Sequence, residues 1–297
     1  MIRVLVIAGP TASGKSGLAL ALSRRLGGEI VNADSQQVYR GLDVGTAKPT
    51  PAERAEIPHH LLDLVEPGEH MDAARWVRQA DAAIAGIAGR GRLPVVTGGT
   101  GLYLRALLHG VVEAPGRDPA LRACLEAEAV LRGRPALHAR LAAVDPAAAA
   151  RIGENDLVRI VRALEVAAGG RSQSELHAEH AFVPDRYEAR ILALDPPRPE
   201  LHARIEARAR AMFEQGLLDE ARALSSRPGG VPARLPIGYA EAISVVEGAL
   251  PLQEAVRRLA VAHRRYARRQ VIWLRRERGV EWIAQPVDVD ALARRVG

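Results

Sequence analysis

Short apolar runs rich in β-branched residues alternate along this chain with longer segments of helical periodicity. Five runs predict strands: Ile2–Ala8, Gly28–Asn32, Leu93–Thr97, Tyr187–Leu194 and, as a short one, Val280–Ile283. Strand, loop and helix follow one another repeatedly, which predicts an α/β fold: a parallel sheet with flanking helices on both faces. Ligands bind such sheets at the carboxyl ends of the strands. We therefore expect the loops Gly9–Ser16, Asp34–Tyr39 and Gly98–Gly101 to lie together there.

The pattern changes in the middle of the chain, where helical segments occur without convincing strands. This stretch is too long to be a loop in a compact domain. We therefore predict an α/β core made of residues 1–113 and 185–297, which ends in basic helices. The segment 114–184 is predicted to be an inserted, all-helical subdomain.

The loop after the first strand has the pattern G-x-x-x-x-G-K-S, between a predicted strand and a predicted helix. It comprises Gly9, Pro10, Thr11, Ala12, Ser13, Gly14, Lys15 and Ser16. The glycines let backbone N–H groups point at phosphate oxygens, and the helix N-terminus adds partial positive charge. Lys15 supplies a point charge, and the Ser16 hydroxyl is suited to holding Mg²⁺. The loop is therefore predicted to be a P-loop that binds a diphosphate or a nucleotide.

Asp34 follows the second predicted strand and precedes the polar string Ser35-Gln36-Gln37-Val38-Tyr39. A carboxylate at that edge, beside a phosphate site, can bind a metal ion or accept a proton from an attacking nucleophile. The structural alternative is a helix N-cap. The expected position of Asp34 opposite the P-loop favours catalysis.

The net charge of +6 favours a polyanionic partner without deciding it. Nine arginines and one acid lie between Arg257 and Arg278, and charge alone supports a solvated helix and a phosphate-binding face equally. Only two of the 41 basic residues are lysines, Lys15 and Lys48. In an arginine-rich chain, a lysine suggests a site that needs a compact ammonium.

Several classes of protein are excluded or disfavoured. The single cysteine, Cys124, excludes a disulfide framework. His59 and His60 have no third nitrogen or sulfur ligand nearby, which disfavours a zinc site. The sequence has no long apolar run for a membrane helix and no signal-peptide pattern, so we expect a cytoplasmic protein without a membrane partner.

At this point the sequence resembles a known family. In chain order, its motifs are GPTASGKS, DSQQVYRGLDVGTAKP, PHHLLD, VTGGTGLY, ENDLVRIVRALEV, RIEARARAMFEQGLLDEA, PIGYAEA and RRQVIWLR. They resemble the successive motifs of bacterial tRNA dimethylallyltransferases, also called tRNA isopentenyltransferases, over nearly the whole chain. The resemblance implies a P-loop NTPase-like core.

The resemblance also implies a reaction. A dimethylallyl group passes from dimethylallyl diphosphate to N6 of the adenine 3′-adjacent to the anticodon, in tRNAs that read codons beginning with U. The P-loop would hold the donor's diphosphate with Mg²⁺, rather than ATP. Asp34 would take the proton from N6, and Thr100 would help to fix the reacting groups. Arg208, or Arg204 one turn away, would neutralise the diphosphate, with a surface ion pair as the alternative.

The same resemblance implies contacts with the tRNA anticodon stem-loop, partly from the helical insertion. The implied contacts are Asp34, Ser35, Gln36, Gln37, Thr100, Arg122, Val158, Arg159, Ile160, Val161, Arg162, Gly238, Tyr239, Arg268, Arg269 and Arg275. One departure from the family pattern is Ala240, where a basic residue usually follows Gly-Tyr. We expect a monomer.

Three alternatives remain open on the sequence. A P-loop small-molecule kinase fits the loop, the acid and a helical lid, but leaves the basic helix unexplained. An adenylate-type dimethylallyltransferase that makes free cytokinin shares the core motifs. An RNA-binding module without catalysis needs neither the P-loop nor Asp34.

Overall fold

The computed structural model describes residues 1–111, 114–116, 118–180, 185–227, 231–232 and 235–297. The chain divides into two compact units. The core unit consists of Met1–Leu108 and Arg186–Gly297, and the helical unit is His109–Asp185. Both boundaries lie a few residues from those expected from the sequence.

The core unit contains a six-stranded parallel sheet in the order β3-β2-β4-β1-β5-β6. The strands are β1 Arg3–Ala8, β2 Gly28–Asn32, β3 His59–His60, β4 Leu93–Gly98, β5 Glu188–Leu194 and β6 Val280–Ile283. The parallel sheet with flanking helices confirms the predicted fold class. Only β3 was not predicted, because it has two residues and pairs with β2 alone.

The central strand, β1, is buried on both faces, as an apolar strand of a parallel sheet should be. Val4 and Val6 belong to one hydrophobic cluster, and Leu5 and Ile7 to another. This alternation follows from the two-residue period of a strand. Because β1 is held between β4 and β5, the P-loop that follows it has a rigid support.

Helices cover both faces of the sheet. Those of the core unit are α1 Lys15–Leu26, α2 Pro51–Glu56, α3 Ala73–Gly89, α4 Gly101–His109, α10 Arg198–Glu214, α11 Leu217–Ser225, α12 Tyr239–Val246, α13 Leu252–Leu274 and α14 Val289–Val296. Trp76 of α3 is fully buried and stacks on Tyr103 of α4 at 4.5 Å between ring centroids. On the other face, α1 packs with α14 around Leu22 and Leu292.

The helical unit has its own core. Its helices are α5 Pro119–Arg132, α6 Arg134–Val144, α7 Pro146–Arg151, α8 Leu157–Ala168 and α9 Gln173–His180. Leu125, Leu137, Leu141 and Ile160 are among its fully buried side chains. None of the helices in the described ranges is long and apolar enough to cross a membrane.

Candidate functional site

The P-loop connects β1 to α1 in a curled backbone conformation. Gly14 is the N-cap of α1 at φ 91°, and no side chain caps the helix. Ala12 also has a positive φ of 63°, which is rare for a residue with a side chain. Gly9 has a φ of 152°, and a Cβ there would lie 2.7 Å from Ser13 Oγ. This backbone leaves N–H groups at the start of α1 for an anion.

Two cations and one carboxylate influence one another beside this loop. Burial lowers the pKa of Lys15 to about 8; the charge of Asp34 opposes this shift and that of Arg208 adds to it. Burial also lowers the pKa of Arg208, and the charge of Asp34 opposes this shift as well. The buried Nε of Arg208 has no hydrogen-bond partner among the described residues. One carboxylate does not balance two desolvated cations, so the site suits a bound anion.

These groups line one cleft of about 850 Å³ in the core unit. The cleft is bordered by P-loop residues, by Asp34 and by Arg208, with Tyr266 and Gln270 of α13 on another side. Arg204 lines it too, but its guanidinium pairs with Glu200 and donates to Gln285 Oε1. The structure therefore favours Arg208 over Arg204 as the ligand of a diphosphate.

Asp34 and Thr100 are brought together at the carboxyl edge of the sheet. Asp34 Oδ1 accepts a hydrogen bond from the backbone N–H of Gln36 at 2.8 Å, and a turn rather than a helix follows. The helix N-cap alternative is therefore wrong. Thr100 Oγ1 accepts from the N–H of Ser35 at 2.9 Å and donates to Ser35 Oγ at 3.2 Å. The two loops are thus fixed to each other next to the P-loop.

The residues present fit a Mg²⁺ ion that the substrate's oxygens hold. Ser16 is exposed and lines the cleft. Within the described residues, no group of three or more His, Cys, Asp or Glu side chains is placed to hold a metal. Mg²⁺ is commonly bound by one or two protein groups together with substrate phosphates. His59 and His60 instead contact Ile57 O and Glu29 Oε2, both at 2.7 Å.

Lys48 closes the far side of the cleft as a structural residue. Its ammonium is buried and donates to Asp43 Oδ1 and Asp63 Oδ1, each at 2.6 Å, and to Tyr39 O at 2.5 Å. Three oxygens around one compact ammonium explain why a lysine stands here in an arginine-rich chain. The ammonium thereby fixes the loop that leads to α2.

The carboxylate of Glu220 holds the same loop from the other side. Glu220 accepts hydrogen bonds from the backbone N–H groups of Asp43, Val44 and Gly45 at 2.7 to 3.0 Å, and from the Tyr239 hydroxyl at 2.6 Å. Tyr239 is fully buried, and Gly238 is a buried N-cap of α12. Burial gives Tyr239 a role in the core, and the expected contacts of Gly238 and Tyr239 with tRNA stay predictions.

Comparison with known proteins settles the family. The model of the IPP transferase family matches residues 37–277, and that of the isopentenyl transferase family matches residues 2–63. The chain belongs to the IPP transferase family. It is 76% identical over 296 residues to a tRNA dimethylallyltransferase of Anaeromyxobacter sp. (strain K), covering 99% of this chain and 97% of the relative.

Solved structures of the family agree in fold. A tRNA isopentenylpyrophosphate transferase of Bacillus halodurans superposes with a TM-score of 0.69 at 36% identity, covering 100% of this chain and 94% of that one. A eukaryotic dimethylallyltransferase acting on tRNA superposes with a TM-score of 0.78 at 30% identity, covering 92% of this chain and 70% of that one. This agreement supports the P-loop NTPase-like core.

In the core unit, two of the three predicted C-terminal arginines border a second groove, of about 960 Å³. Arg268 and Arg275 line it, together with further basic side chains: Arg198, His202, Arg264 and Arg265. Asp195 is the acid on its wall, 3.5 Å from Arg275. Arg269 lies elsewhere, with its guanidinium 5.6 Å from the centre of the Tyr266 ring. Part of the basic surface that the sequence predicts is therefore a groove of the core unit.

The predicted contacts in the helical unit fall into two groups. Arg159 is 69% exposed in its side chain, and Val158 is exposed. Ile160 and Val161 are buried in the core of that unit, and their contact with tRNA stays a prediction. Amphipathic periodicity of α8 requires this division, because adjacent positions cannot all face outward.

Two arginines of the helical unit already have partners within it. Arg122 forms an ion pair with the buried Glu165, and Arg162 donates to Pro115 O at 2.9 Å. A buried acid needs such a counter-charge. Contacts of Arg122 and Arg162 with tRNA stay predictions, in competition with these internal bonds.

Two residues that border the cleft were missed from the sequence. Tyr266 lines the cleft, and burial, with a contribution from the charge of Asp34, raises its pKa to about 12. Gln270 is buried and bonds to two loops. Their spacing of four residues places them on one helix face, and Gln270 lies in the motif RRQVIWLR.

Proposed function

We propose that this chain is a tRNA dimethylallyltransferase. It would transfer the dimethylallyl group of dimethylallyl diphosphate to N6 of the adenine 3′-adjacent to the anticodon. The observation that carries the proposal is the placement of Lys15, Arg208 and Asp34 around one cleft. The family membership and the tRNA substrates named for its relatives support the acceptor.

Each residue has a defined task in this reaction. The bond from N6 to C1 of the donor forms as the C1–O bond breaks, and the electron pair of that bond leaves with the diphosphate. The Asp34 carboxylate accepts the proton that N6 loses. Lys15 and Arg208 stabilise the negative charge on the departing diphosphate. Bound Mg²⁺, next to Ser16, would neutralise further charge on the same oxygens.

The acceptor base has to leave the anticodon stack to reach Asp34. The loop of Ser35 and Gln36 is held by Thr100 and would meet the base. The Gln37 amide donates to Thr46 O and Ala47 O, at 3.1 and 3.0 Å, which fixes the opposite wall. We propose that Gln37 shapes the base pocket through this wall.

The proposed enzyme works in the cytoplasm, as a monomer. Support for a monomer comes from the cleft, because one chain supplies its cations, its carboxylate and its P-loop. Size-exclusion chromatography with light scattering should give the mass of one chain, and a stable dimer at micromolar concentration would contradict this.

A substrate panel separates the proposal from its rivals. The protein is incubated with Mg²⁺ and labelled dimethylallyl diphosphate in separate reactions with unmodified tRNA, AMP and ATP. Phosphoryl transfer from labelled ATP is followed in parallel. We expect label only in tRNA. Label in AMP would indicate the cytokinin-forming class, and phosphoryl transfer from ATP would indicate a kinase.

A further inference from the structure

One buried side chain of α13 joins the two loops of the candidate site. The Gln270 amide oxygen accepts a hydrogen bond from the Thr11 N–H of the P-loop, at 2.8 Å. The amide nitrogen of the same side chain donates to Gly99 O at 2.9 Å, in the loop that carries Thr100. Gln270 is 5% exposed; its bond with Thr11 is buried and its bond with Gly99 is partly buried.

The two bonds need a side chain that both accepts and donates, as the uncharged amide does. The Thr11 N–H needs an acceptor, whereas Gly99 O needs a donor. A glutamate keeps the acceptor but places a carboxylate against the Gly99 carbonyl. An alanine removes both partners and leaves the Thr11 N–H and the Gly99 carbonyl without these hydrogen bonds.

The loop of Thr100 has the shape that this amide requires. A Cβ at Gly99 would lie 1.9 Å from Gln270 Nε2, whereas the next contacts are at 3.1 Å or more. A Cβ at Gly101 would lie 2.3 Å from the Trp273 ring, one turn along α13. The two glycines thus let α13 approach the loop closely. An alanine at Gly99 would displace the Gln270 amide before anything else.

We infer that Gln270 is a positioning residue for prenyl transfer, which sets the P-loop and the Thr100 loop at a fixed separation. This inference rests on the proposed function. The P-loop holds the donor's diphosphate, and Thr100 holds the loop of Asp34 through Ser35. The separation of the two loops therefore sets the distance between C1 of the donor and the attacking N6. A misplacement of about 1 Å can reduce a rate by about a hundredfold.

The test uses the full-length variants Gln270→Glu, Gln270→Ala, Gly99→Ala and the double variant Gly99→Ala/Gln270→Ala. Gln253→Ala is the matched control, because Gln253 is exposed on the same helix. Three quantities are measured: the single-turnover rate of tRNA prenylation at saturating donor and tRNA, the Kd of inorganic diphosphate with Mg²⁺, and Tm.

For Gln270→Glu and Gly99→Ala we expect a loss of single-turnover rate of about tenfold or more, by misplacement of the reacting atoms. The diphosphate Kd should change by less than the rate, because Lys15 and Arg208 are untouched. The double variant should lose no more rate than Gln270→Ala alone, since both changes remove the same contact. Gln253→Ala should match the wild type. If Gln270→Ala does not fold, Gly99→Ala and Gln270→Glu carry the test.

Full single-turnover rates in Gln270→Glu and Gly99→Ala would overturn the inference. So would multiplicative losses in the double variant, or rate losses that disappear at a temperature well below each variant's Tm. A wild-type enzyme that binds diphosphate but prenylates no tRNA would contradict the proposed function instead, which separates the two failures.

Discussion

At the scale of single residues, the account depends on charge in a desolvated cleft. Lys15 and Arg208 are cations whose pKa values burial lowers, and Asp34 is the carboxylate that acts on both. His263, behind Arg208, is buried, and burial together with the Arg208 charge lowers its pKa to about 4. His263 is therefore neutral at pH 7 and adds no third positive charge. Lys15 and Arg208 are thus the cleft cations in which we expect an anion to restore a favourable charge balance.

Asp34→Asn tests the proton acceptor with little change of shape. The asparagine oxygen can still accept the Gln36 N–H bond, but the side chain cannot take a proton. We expect the turnover number to fall by about 10²–10⁴-fold, the usual contribution of a positioned base. The Kd for tRNA, measured by filter binding, should stay within threefold or so of wild type. Asp290→Asn, at an exposed ion pair, is the control. Near-normal turnover would remove Asp34 from catalysis.

Lys15 should make donor binding depend on pH. Its pKa is about 8 in the free protein, and a bound diphosphate raises it, so binding takes up a proton above that pH. The affinity for dimethylallyl diphosphate, measured by calorimetry without tRNA, should fall as the pH rises above 8. Lys15→Arg should bind more weakly throughout and lose this decline, because guanidinium stays charged. A flat wild-type profile up to pH 10 would contradict the assignment.

At the scale of elements, strands and loops that depend on a local residue pattern can be predicted from the sequence. Features that depend on contacts between distant segments cannot. β1, β2 and β4 follow from β-branched runs, whereas β3 exists because two residues meet β2. The P-loop and Asp34 can be found from the order of strand and loop. The burial of Tyr239 cannot be found in this way, because its partner Glu220 lies on α11 and nothing in the sequence links the two residues.

Tyr239→Phe distinguishes a core role from a tRNA contact. Loss of the hydrogen bond to Glu220 should lower the free energy of unfolding by about 1–2 kcal/mol, since the bond is partly buried and its acceptor is a carboxylate. Denaturant unfolding measures this loss, with Tyr187→Phe, whose hydroxyl donates to Asp81, as the comparison. The affinity for tRNA should not change. A weaker affinity with unchanged stability would identify Tyr239 as a tRNA contact.

At the scale of the whole molecule, the proposed function assigns two electrostatic features of the core unit to two ligands. The cleft of the core unit confines its charge to a few buried groups, whereas the groove along α13 presents several exposed arginines. Contacts with nucleic-acid phosphates release counterions, so their strength falls steeply with salt. Buried charges are screened much less. Binding of tRNA and of the donor should therefore respond differently to ionic strength.

The double variant Arg268→Ala/Arg275→Ala should reduce the slope of log Kd for tRNA against log salt by about one to two, as expected for two lost phosphate contacts. Donor affinity should be unaffected. Arg257→Ala is the matched control, because Arg257 lies on the same helix and pairs with Glu254. Equal salt slopes for all three proteins would show that the groove does not bind tRNA phosphates.

The position and chemistry of the product test the central claim most directly. Unmodified tRNA is treated with the wild-type protein, Mg²⁺ and labelled dimethylallyl diphosphate, then digested to nucleosides and to anticodon-loop fragments for mass spectrometry. The account predicts N6-isopentenyladenosine at the adenosine 3′-adjacent to the anticodon, with one diphosphate released for each group transferred. Unmodified tRNA after reaction, or label on any other nucleoside, would contradict it.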